Sequence, residues 1–494
     1  MAEFKLSDKV NPNKVFLLQT SDLEKRLDPF YYIPELKELE EKVREKDVEP
    51  LRHFVKNVSS GATPKTAEKE KYYSDKENGI PFLRVQNLSP TGILDYENCK
   101  YINRETHNGY LKRSQVKGGD LLVKITGVGR MAVASVAPDD FVGNTNQHMV
   151  VIKTGSKEVS LILASYLNSD IGEKLASRRA TGGTRPALDY PALLSIPIFY
   201  DERILTITKK AVDEKNKKQN EAKNLLASID DYLLNELGIE LPEKDNSLEN
   251  RIFTASISEI SGGRFDPKLY DNFTSALRLS IKENKYKSDN LRLKDFLTQS
   301  FAGSWGEDEL KFSEDENFKK CLVIRATEFD NKYNLNVDNS RVKFRLIPRK
   351  KLHTLDIQTN DLLIEKSGGS PDQPVGRISI ITEDMINNHS LCYSNFIHKI
   401  RIDTGICNPI YLFNFLKTVH NIKLTDAMQS QTNGIRNLIM SNYFNQTIPI
   451  PSKEKQTEIA NHITDLRNQA KQLELDADQI MTEAKAEVEN IILG

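Results

Sequence analysis

Two short polar segments, about half a chain apart, carry side chains suited to reading DNA. Arg, Gln and Asn can form paired hydrogen bonds with the edges of guanine and adenine, and glycine lets a backbone approach phosphate closely. Each segment precedes an Ile-Pro-Ile sequence, and the candidate contacts are Arg178, Arg179, Thr184 and Arg185 in the first and Gln429, Gln431, Asn433 and Arg436 in the second. The recurrence predicts a pair of nucleic-acid contact loops.

A basic stretch in the second half supports the same prediction. Six positive charges and no acid fall within eleven residues, at Arg341, Lys343, Arg345, Arg349, Lys350 and Lys351. A strip of this kind is suited to facing phosphate. For each residue taken singly, ordinary solvated surface remains the alternative.

Motifs for catalysis are weak. Gly127 and Gly129 follow a predicted strand, but Ala132 replaces the third glycine of a dinucleotide loop. Asn408 to Tyr411 is partly similar to the Asn-Pro-Pro-Tyr loop of amino-methyltransferases, which stacks a flipped base, yet it lacks the second proline and also fits the start of a helix. The eight histidines and four cysteines are dispersed, without P-loop, HExxH or nucleophile-elbow motifs. The sequence therefore favours binding over catalysis and predicts no cofactor or metal in this chain.

The elements that would position these residues occur twice, with a period of about 240 residues. RLDPFYY at Arg26 is echoed by RFDPKLY at Arg264, GDLLVKIT at Gly119 by NDLLIEKS at Asn360, and TGGTR at Thr181 by TNGIR at Thr432. A period this long indicates a duplicated domain rather than a solenoid.

A long helix is predicted after each copy. From Thr457 onward apolar residues alternate at steps of four and three, which is typical of a coiled-coil seam: Ile459, Ile463, Leu466, Ala470, Leu473, Ala477, Ile480, Ala484 and Ile491. The earlier helix is less regular and basic near its start, whereas the later helix is acidic near its end. This charge pattern favours antiparallel pairing; two independent solvated helices are the alternative.

Strand-length apolar runs bounded by Gly, Asn, Asp or Pro, such as GDLLVKIT and NDLLIEKS, give the fold class. Each half also contains one helical stretch, LILASYLNSDIGEKLASRRA in the first and IYLFNFLKTVHNIKLTDAMQ in the second. We expect an α+β chain with two similar domains separated by two long helices that form an antiparallel coiled coil, a pseudo-two-fold repeat. The predicted limits are an N-terminal arm (1–25), a first domain (26–200), a central helix (201–240), a linker (241–262), a second domain (263–452) and a C-terminal helix (453–494).

Composition restricts the class of protein. The formal net charge is −1, so any basic surface must be local. Apolar runs are too short for a membrane span, no secretory leader is recognisable, and the cysteines form no CxxC pair. These features predict a cytoplasmic protein in a reducing compartment.

The order SGATP, IPFLRVQNL, GDLLVKITG, NTNQHMVVIK, TGGTRPAL and IPI, then a long helix, with the array repeated, resembles the specificity subunit of type I restriction-modification systems. The resemblance implies two target recognition domains that read the halves of a bipartite DNA sequence, with the helices as ruler and docking surface. It implies two methyltransferase subunits as partners, S-adenosylmethionine bound in those subunits, and ATP-dependent restriction subunits as further partners. The second copy has SFAGSWGE where the first has SGATP, so the two domains differ and the resemblance implies an asymmetric target.

With this resemblance, the candidate DNA contacts extend to further polar residues of the repeated motifs: Thr63, Lys65, Arg84, Gln86, Asn87, Arg130, Gln147, Arg325, Lys366, Ser367 and Gln373. Two alternatives of other classes remain: an S-adenosylmethionine-dependent adenine methyltransferase with a degenerate Asn408 loop, and a coiled-coil scaffold without DNA contacts.

Overall fold

The computed structural model describes residues 6–7, 9–24, 26–97, 99–245, 247–260, 266–308, 317–330, 334–369, 374–432 and 435–494. The chain divides into two compact units. The first unit comprises Met1–Gln219 and Glu474–Gly494, and the second comprises Asn220–Leu473.

The first unit contains short strands and helices in alternation. Its strands are β1 (Val48–Pro50), β2 (Asn57–Ser60), β3 (Tyr73–Ser74), β4 (Ile80–Leu83), β5 (Lys100–Ile102), β6 (Gln115–Lys117), β7 (Leu121–Lys124), β8 (Ala134–Val136), β9 (Val142–Thr145), β10 (Met149–Lys153) and β11 (Pro197–Phe199). Its shorter helices are α1 (Pro34–Arg44), α2 (Lys69–Tyr72), α3 (Arg104–Asn108), α4 (Lys157–Asn168), α5 (Asp170–Arg179) and α6 (Tyr190–Leu194).

Two main sheets organise this unit. One has the antiparallel order β2-β10-β7-β8, and the other has the order β3-β5-β4-β9-β6, in which β4 and β9 run parallel. All four residues of β7 are buried, because core residues cover both faces of the strand. Helices α4 and α5 pack on the first sheet through residues such as Ile162, Tyr166 and Leu175.

The second unit repeats this plan. Its strands are β12 (Leu291–Arg292), β13 (Leu297–Ala302), β14 (Phe318–Ile324), β15 (Phe344–Pro348), β16 (Leu362–Glu365), β17 (Ser367–Gly369), β18 (Ile378–Ile380), β19 (Leu391–Tyr393), β20 (Ile397–Ile402), β21 (Gln429–Thr432), β22 (Ile435–Leu438) and β23 (Thr447–Ile448). Its shorter helices are α8 (Ile257–Ile260), α9 (Asn272–Lys282), α10 (Arg349–Leu355), α11 (Glu383–Asn388), α12 (Pro409–Asn421) and α13 (Met440–Phe444).

The strand order β13-β20-β16-β18 corresponds to β2-β10-β7-β8, and the parallel pair β14/β19 corresponds to β4/β9. The second unit also contains a three-stranded sheet, β17-β22-β21. The described residues of the first unit form no corresponding three-stranded sheet. The mixed helices and sheets confirm the predicted α+β class. The boundaries of the six predicted segments stay a prediction.

Two long helices, α7 (Glu202–Leu237) and α14 (Lys453–Leu493), each contribute a part to both units. Within the first unit, Lys218 of α7 lies 2.9 Å from Asp476 of α14. Within the second, Lys455 lies 2.6 Å from Glu236, and the rings of Tyr232 and His462 are 4.2 Å apart. The early end of one helix therefore contacts the late end of the other.

The predicted strands agree with the structure, and the helical predictions need one correction. The first predicted helical stretch is interrupted at Ser169, whose hydroxyl accepts a hydrogen bond from Gly172 N at 2.9 Å and begins α5. Arg178 and Arg179 consequently lie in the last turn of a helix, and the prediction that they sit on a loop is wrong.

Candidate nucleic-acid interface

In the first unit, polar residues follow the carboxyl ends of the parallel strands β4 and β9. Arg84 comes directly after β4, and its backbone N–H donates to the Asn87 Oδ1 at 2.8 Å. The Asn87 side chain in turn donates to Asp95 O at 2.8 Å and is buried. Asn87 is thus a positioning residue for the turn that presents Arg84 and the exposed Gln86.

A second pair of predicted residues meets beside this turn. The Thr63 hydroxyl donates to Gln147 Oε1 at 2.6 Å, and both side chains are exposed. The approach depends on Gly61, because a Cβ there would lie 1.7 Å from Thr145 O. Lys65 is also exposed and lies 3.9 Å from Glu68.

The TGGTR segment forms a narrow turn beside these residues. Thr181 and Ala187 exchange backbone hydrogen bonds of 2.8 and 2.9 Å, and Gly127 N donates to Pro186 O at 3.1 Å. Thr184 and Arg185 at the tip are exposed. Burial, together with the charge of Arg185, lowers the pKa of His148, so the turn lies close to the end of β9.

Three predicted arginines of the first unit make internal contacts instead. Arg178 and Arg179 are buried and pair with Glu40, with Arg179 Nη2 lying 2.7 Å from Glu40 Oε1. Arg130 donates to Asp170 at 2.8 Å and to Asn168 O at 2.8 Å, which ties the glycine loop to the α4–α5 junction.

In the second unit, Arg325 follows β14 as Arg84 follows β4. Its backbone N–H donates to Glu328 Oε2 at 2.7 Å, and its guanidinium donates to Glu328 Oε1 at 2.7 Å. Glu328 is fully buried, so a carboxylate here replaces the neutral amide of Asn87. Glu328 therefore neutralises the positive charge of Arg325, whereas the neutral amide of Asn87 does not neutralise that of Arg84.

A surface cleft of about 610 Å³ opens next to Arg325. Ser367 and Arg325 line it, together with residues that the sequence analysis did not select: Trp305, Ala326, Thr327, Gly368, Ser394, Asn395 and Phe396. Lys366 is half-buried beside it, and burial together with the Lys366 charge lowers the pKa of His398 to about 4.

The strand registers relate the two clusters residue by residue. Ser60 pairs with Val150 as Ala302 pairs with His398, and Leu83 pairs with Thr145 as Ile324 pairs with Tyr393. Trp305 therefore occupies the position of Thr63, Asn395 that of Gln147, and Phe396 that of His148. Aligning the two repeats would have identified Trp305 and Asn395, because their counterparts Thr63 and Gln147 were predicted to contact DNA.

The remaining predicted residues of the second unit lie on or near the β17-β22-β21 sheet. Ser367 Oγ contacts Asn437 Oδ1, and Arg436 is half-buried on β22 opposite Gly369. Gln429 is buried and donates to Val375 O at 3.2 Å. Gln431 lies on β21, while Gln373 and Asn433 fall outside the described residues.

The basic stretch from Arg341 to Lys351 is divided between elements. Arg341, Lys343, Arg349 and Lys350 are exposed, whereas Arg345 on β15 pairs with Asp308 at 3.1 Å. Four charges of the strip thus remain on the surface.

The segment Asn408–Tyr411 begins a helix. The Asn408 side chain accepts hydrogen bonds from Ile410 N at 2.9 Å and Tyr411 N at 3.3 Å, and thereby caps α12. Tyr411 is fully buried, with its hydroxyl donating to Pro449 O at 2.8 Å. A ring enclosed in this way cannot stack on a flipped base, which removes the observation behind the methyltransferase alternative.

The described residues contain no group of three or more His, Cys, Asp or Glu side chains that could hold a metal ion. None of the helices in the described ranges is long and apolar enough to cross a membrane.

Comparison with known proteins gives one family match. Residues 289–479 match the model of the type I restriction modification DNA specificity domain. No curated protein matches the chain.

Several solved structures resemble the whole chain weakly. The HsdS subunit from Thermoanaerobacter tengcongensis is 14% identical, with 90% of this chain and 95% of that chain covered and a TM-score of 0.31. The type I restriction-modification S subunit from M. genitalium is 11% identical, with 90% and 94% covered and a TM-score of 0.36. At these TM-scores the likenesses add nothing to the family match.

The matched domain defines a DNA-recognition protein. Residues 289–479 carry a type I restriction modification DNA specificity domain, the kind of domain that recognises DNA. The family resemblance predicted from the sequence is confirmed.

Proposed function

We propose that each unit reads one half of a bipartite, asymmetric duplex DNA sequence. This proposal rests mainly on the finding that the specificity domain matched in the second unit has a counterpart in the first. Both units contain a sheet with the same strand order and a parallel strand pair that is followed by an arginine. The residues at equivalent positions differ: Thr63 against Trp305, and His148 against Phe396. Different side chains on the same scaffold select different bases.

We assign the base and phosphate contacts to the accessible members of the predicted set. In the first unit these are Thr63, Lys65, Arg84, Gln86, Gln147, Thr184 and Arg185, and in the second they are Arg325, Lys366 and Arg436, whereas Ser367 is buried at the wall of the cleft. Asn87, Arg130, Arg178, Arg179 and Gln429 instead position backbone or neighbouring side chains through internal hydrogen bonds.

We also propose that α7 and α14 pair as an antiparallel coiled coil that spaces the two half-sites. The support is the contact between Lys218 and Asp476 within one unit and between Glu236 and Lys455 within the other. Buried Ile459, Ile463, Ala470 and Ala477 agree with the predicted seam. The predicted pseudo-two-fold repeat and helix pairing belong to this proposal.

The chemistry is then supplied by partners. Two methyltransferase subunits, binding S-adenosylmethionine, would dock on the helices and modify adenine, and ATP-dependent restriction subunits would join them. Because such a complex acts on chromosomal and invading DNA, the proposal assigns the chain to the prokaryotic cytoplasm.

Co-expression with the methyltransferase subunits of its own system tests the function. Sequencing of the host methylome should reveal adenine methylation within one asymmetric, bipartite motif, whereas the purified chain alone should transfer no labelled methyl group and cut no DNA. Methyl transfer by the chain alone, or a motif without two separated halves, contradicts the proposal.

The scaffold alternative predicts no DNA binding. Binding of the full chain to duplex DNA, with an affinity that falls steeply as the salt concentration rises, would favour DNA recognition over the scaffold. Phosphate contacts depend on salt because they release counterions. Binding absent at low salt would favour the scaffold.

A further inference from the structure

We infer that the cleft beside Trp305 in the second unit binds an unstacked nucleobase. The inference deepens the proposed function and rests on it, because it assigns a ligand to a site next to the predicted DNA contacts. Trp305 is the one tryptophan in the 494-residue sequence, and it is 38% exposed.

The backbone presents Trp305 rigidly. Gly303 N donates to Ile397 O at 3.2 Å, and Ser304 N donates to Tyr393 O at 2.8 Å, so the preceding residues are fixed to the turn after β19. A Cβ on Gly303 would lie 2.1 Å from Tyr393 O, which explains why glycine occurs here. The guanidinium carbon of Arg345 lies 5.0 Å from the Trp305 ring centroid and supports the ring.

A second aromatic ring lines the same cleft. Phe396 is 48% exposed, although a phenyl ring in water is unfavourable. Its carbonyl accepts a hydrogen bond from Lys366 N at 2.9 Å, which fixes the turn that carries it. Two exposed aromatic faces lining one cleft match the two π-faces of a base, the arrangement by which proteins hold unstacked nucleotides.

The cleft also has polar groups for the edge of a base. Ser394 lines it, and its enclosed hydroxyl has no hydrogen-bond partner among the described residues. In the first unit the equivalent residue is Asn146, whose Oδ1 accepts from His148 N at 3.1 Å and is therefore satisfied internally. Asn395 at the rim is exposed and carries both a donor and an acceptor.

Size and surroundings favour a base over an apolar peptide. About 610 Å³ falls within the range of roughly 300–1,000 Å³ that is typical of small-ligand clefts. Arg325 and Ser367, both predicted to contact DNA, line its wall. A strand bound by these residues would deliver an unpaired base directly to the two rings.

Fluorescence of the full chain tests this inference, because Trp305 is the sole source of tryptophan emission. The probes are a short single-stranded oligonucleotide, a duplex with one unpaired nucleotide, and the same duplex fully paired, each carrying a label for independent anisotropy measurements. Single-stranded and bulged DNA should quench the emission, while the fully paired duplex should quench it least.

Variants locate the contact. Phe396→Leu should weaken binding of the bulged duplex about tenfold, the loss expected for one stacking contact. Phe30→Leu is the matched control, since Phe30 of the first unit is 49% exposed, and it should leave binding unchanged. Trp305→Phe should retain most of the affinity, whereas Trp305→Leu should not; thermal melting confirms that each variant folds.

The outcomes separate this inference from the proposed function. Duplex binding by anisotropy without quenching by any probe, or without an effect of Phe396→Leu, overturns the base-binding cleft alone. Equal quenching by paired and bulged duplexes also overturns it, since the aromatic rings would then contact a groove. Absence of binding to every probe contradicts both proposals.

Discussion

Glu40 lies at the centre of a buried charge cluster in the first unit. Its carboxylate contacts Arg44, Arg178 and Arg179. Burial opposes ionisation, but hydrogen bonding and attraction from Arg179, followed by Arg178, lower the pKa of Glu40 to about 2. We expect Glu40→Gln to destabilise the first unit by about 3–5 kcal/mol, because two buried arginines lose their counter-charge. Denaturant unfolding measures the loss.

The sign of the pH dependence follows from this shift. A folded-state pKa below the ordinary value of 4.5 means that the stabilisation is present above about pH 4.5 and is lost as pH falls towards 2. Glu40→Gln should remove this acid-sensitive component. Glu41→Gln, an exposed neighbour, should change neither stability nor its pH dependence. Similar acid profiles for the wild type and Glu40→Gln would contradict the assignment.

Arg84 and Arg325 occupy equivalent positions but should respond differently to substitution. Arg84→Ala should weaken DNA binding and reduce the salt slope by about one, with little change in melting temperature, because the capping hydrogen bond uses the backbone N–H. Arg325→Ala should destabilise the fold by about 3–5 kcal/mol, because the buried Glu328 carboxylate loses the positive charge of Arg325.

Anisotropy at several salt concentrations and thermal melting separate these two effects. Conservative replacement by lysine should restore the salt slope at position 84 but not the full stability at position 325, since lysine cannot form the two-nitrogen contact with Glu328. Equal stability of Arg84→Ala and Arg325→Ala would contradict the different roles assigned to these two arginines.

At the scale of elements, the turns that begin the repeated motifs show how far local sequence determines backbone conformation. Gly119 and Asn360 begin equivalent motifs, and both have positive φ, of 81° and 70°. We expect Asn360→Ala to cost about 1 kcal/mol, because alanine tolerates left-handed backbone poorly, and Asn360→Gly to be tolerated, as at Gly119. Chemical denaturation of the two variants provides the comparison; equal losses would mean that side-chain contacts of Asn360 matter more than its backbone.

Strands and the helix start at Asn408 were predictable because their signals are local. The break at Ser169 was missed because apolar residues continue on both sides of it, and only the cap identifies it. The parallel pairs β4/β9 and β14/β19 join residues about 60 or more positions apart, so no local pattern announces them. The Trp305 cleft depends on those pairs, and hence it was not predicted.

At the scale of the whole molecule, repetition carried more information than any motif. The duplicated order of short motifs predicted two related recognition modules, although each motif alone is common. Burial of Arg178 and Arg179 could not be foreseen, because their partner Glu40 is about 140 residues away in the sequence. Long-range charge pairing of this kind decides whether a basic residue is available to DNA.

The proposed helix ruler gives a prediction for the target as a whole. Seven residues inserted after Ala470, between His462 and Asp476, would keep the heptad seam, and a matching heptad between Lys218 and Tyr232 would preserve the contacts of each unit. Each insertion lengthens its helix by about 10 Å, equivalent to roughly three base pairs of duplex. Methylome sequencing should therefore show a spacer longer by about three base pairs, with both half-sites unchanged.

Single insertions are the control, because an unpaired heptad shifts one helix against the other and should abolish folding or partner binding. An unchanged spacer in a paired variant that still folds and supports methylation would mean that the helices do not measure the distance. Altered bases within a half-site would mean that the insertion disturbs a recognition surface. That outcome would contradict the assignment of DNA contacts to Arg84 and to the Trp305 cleft.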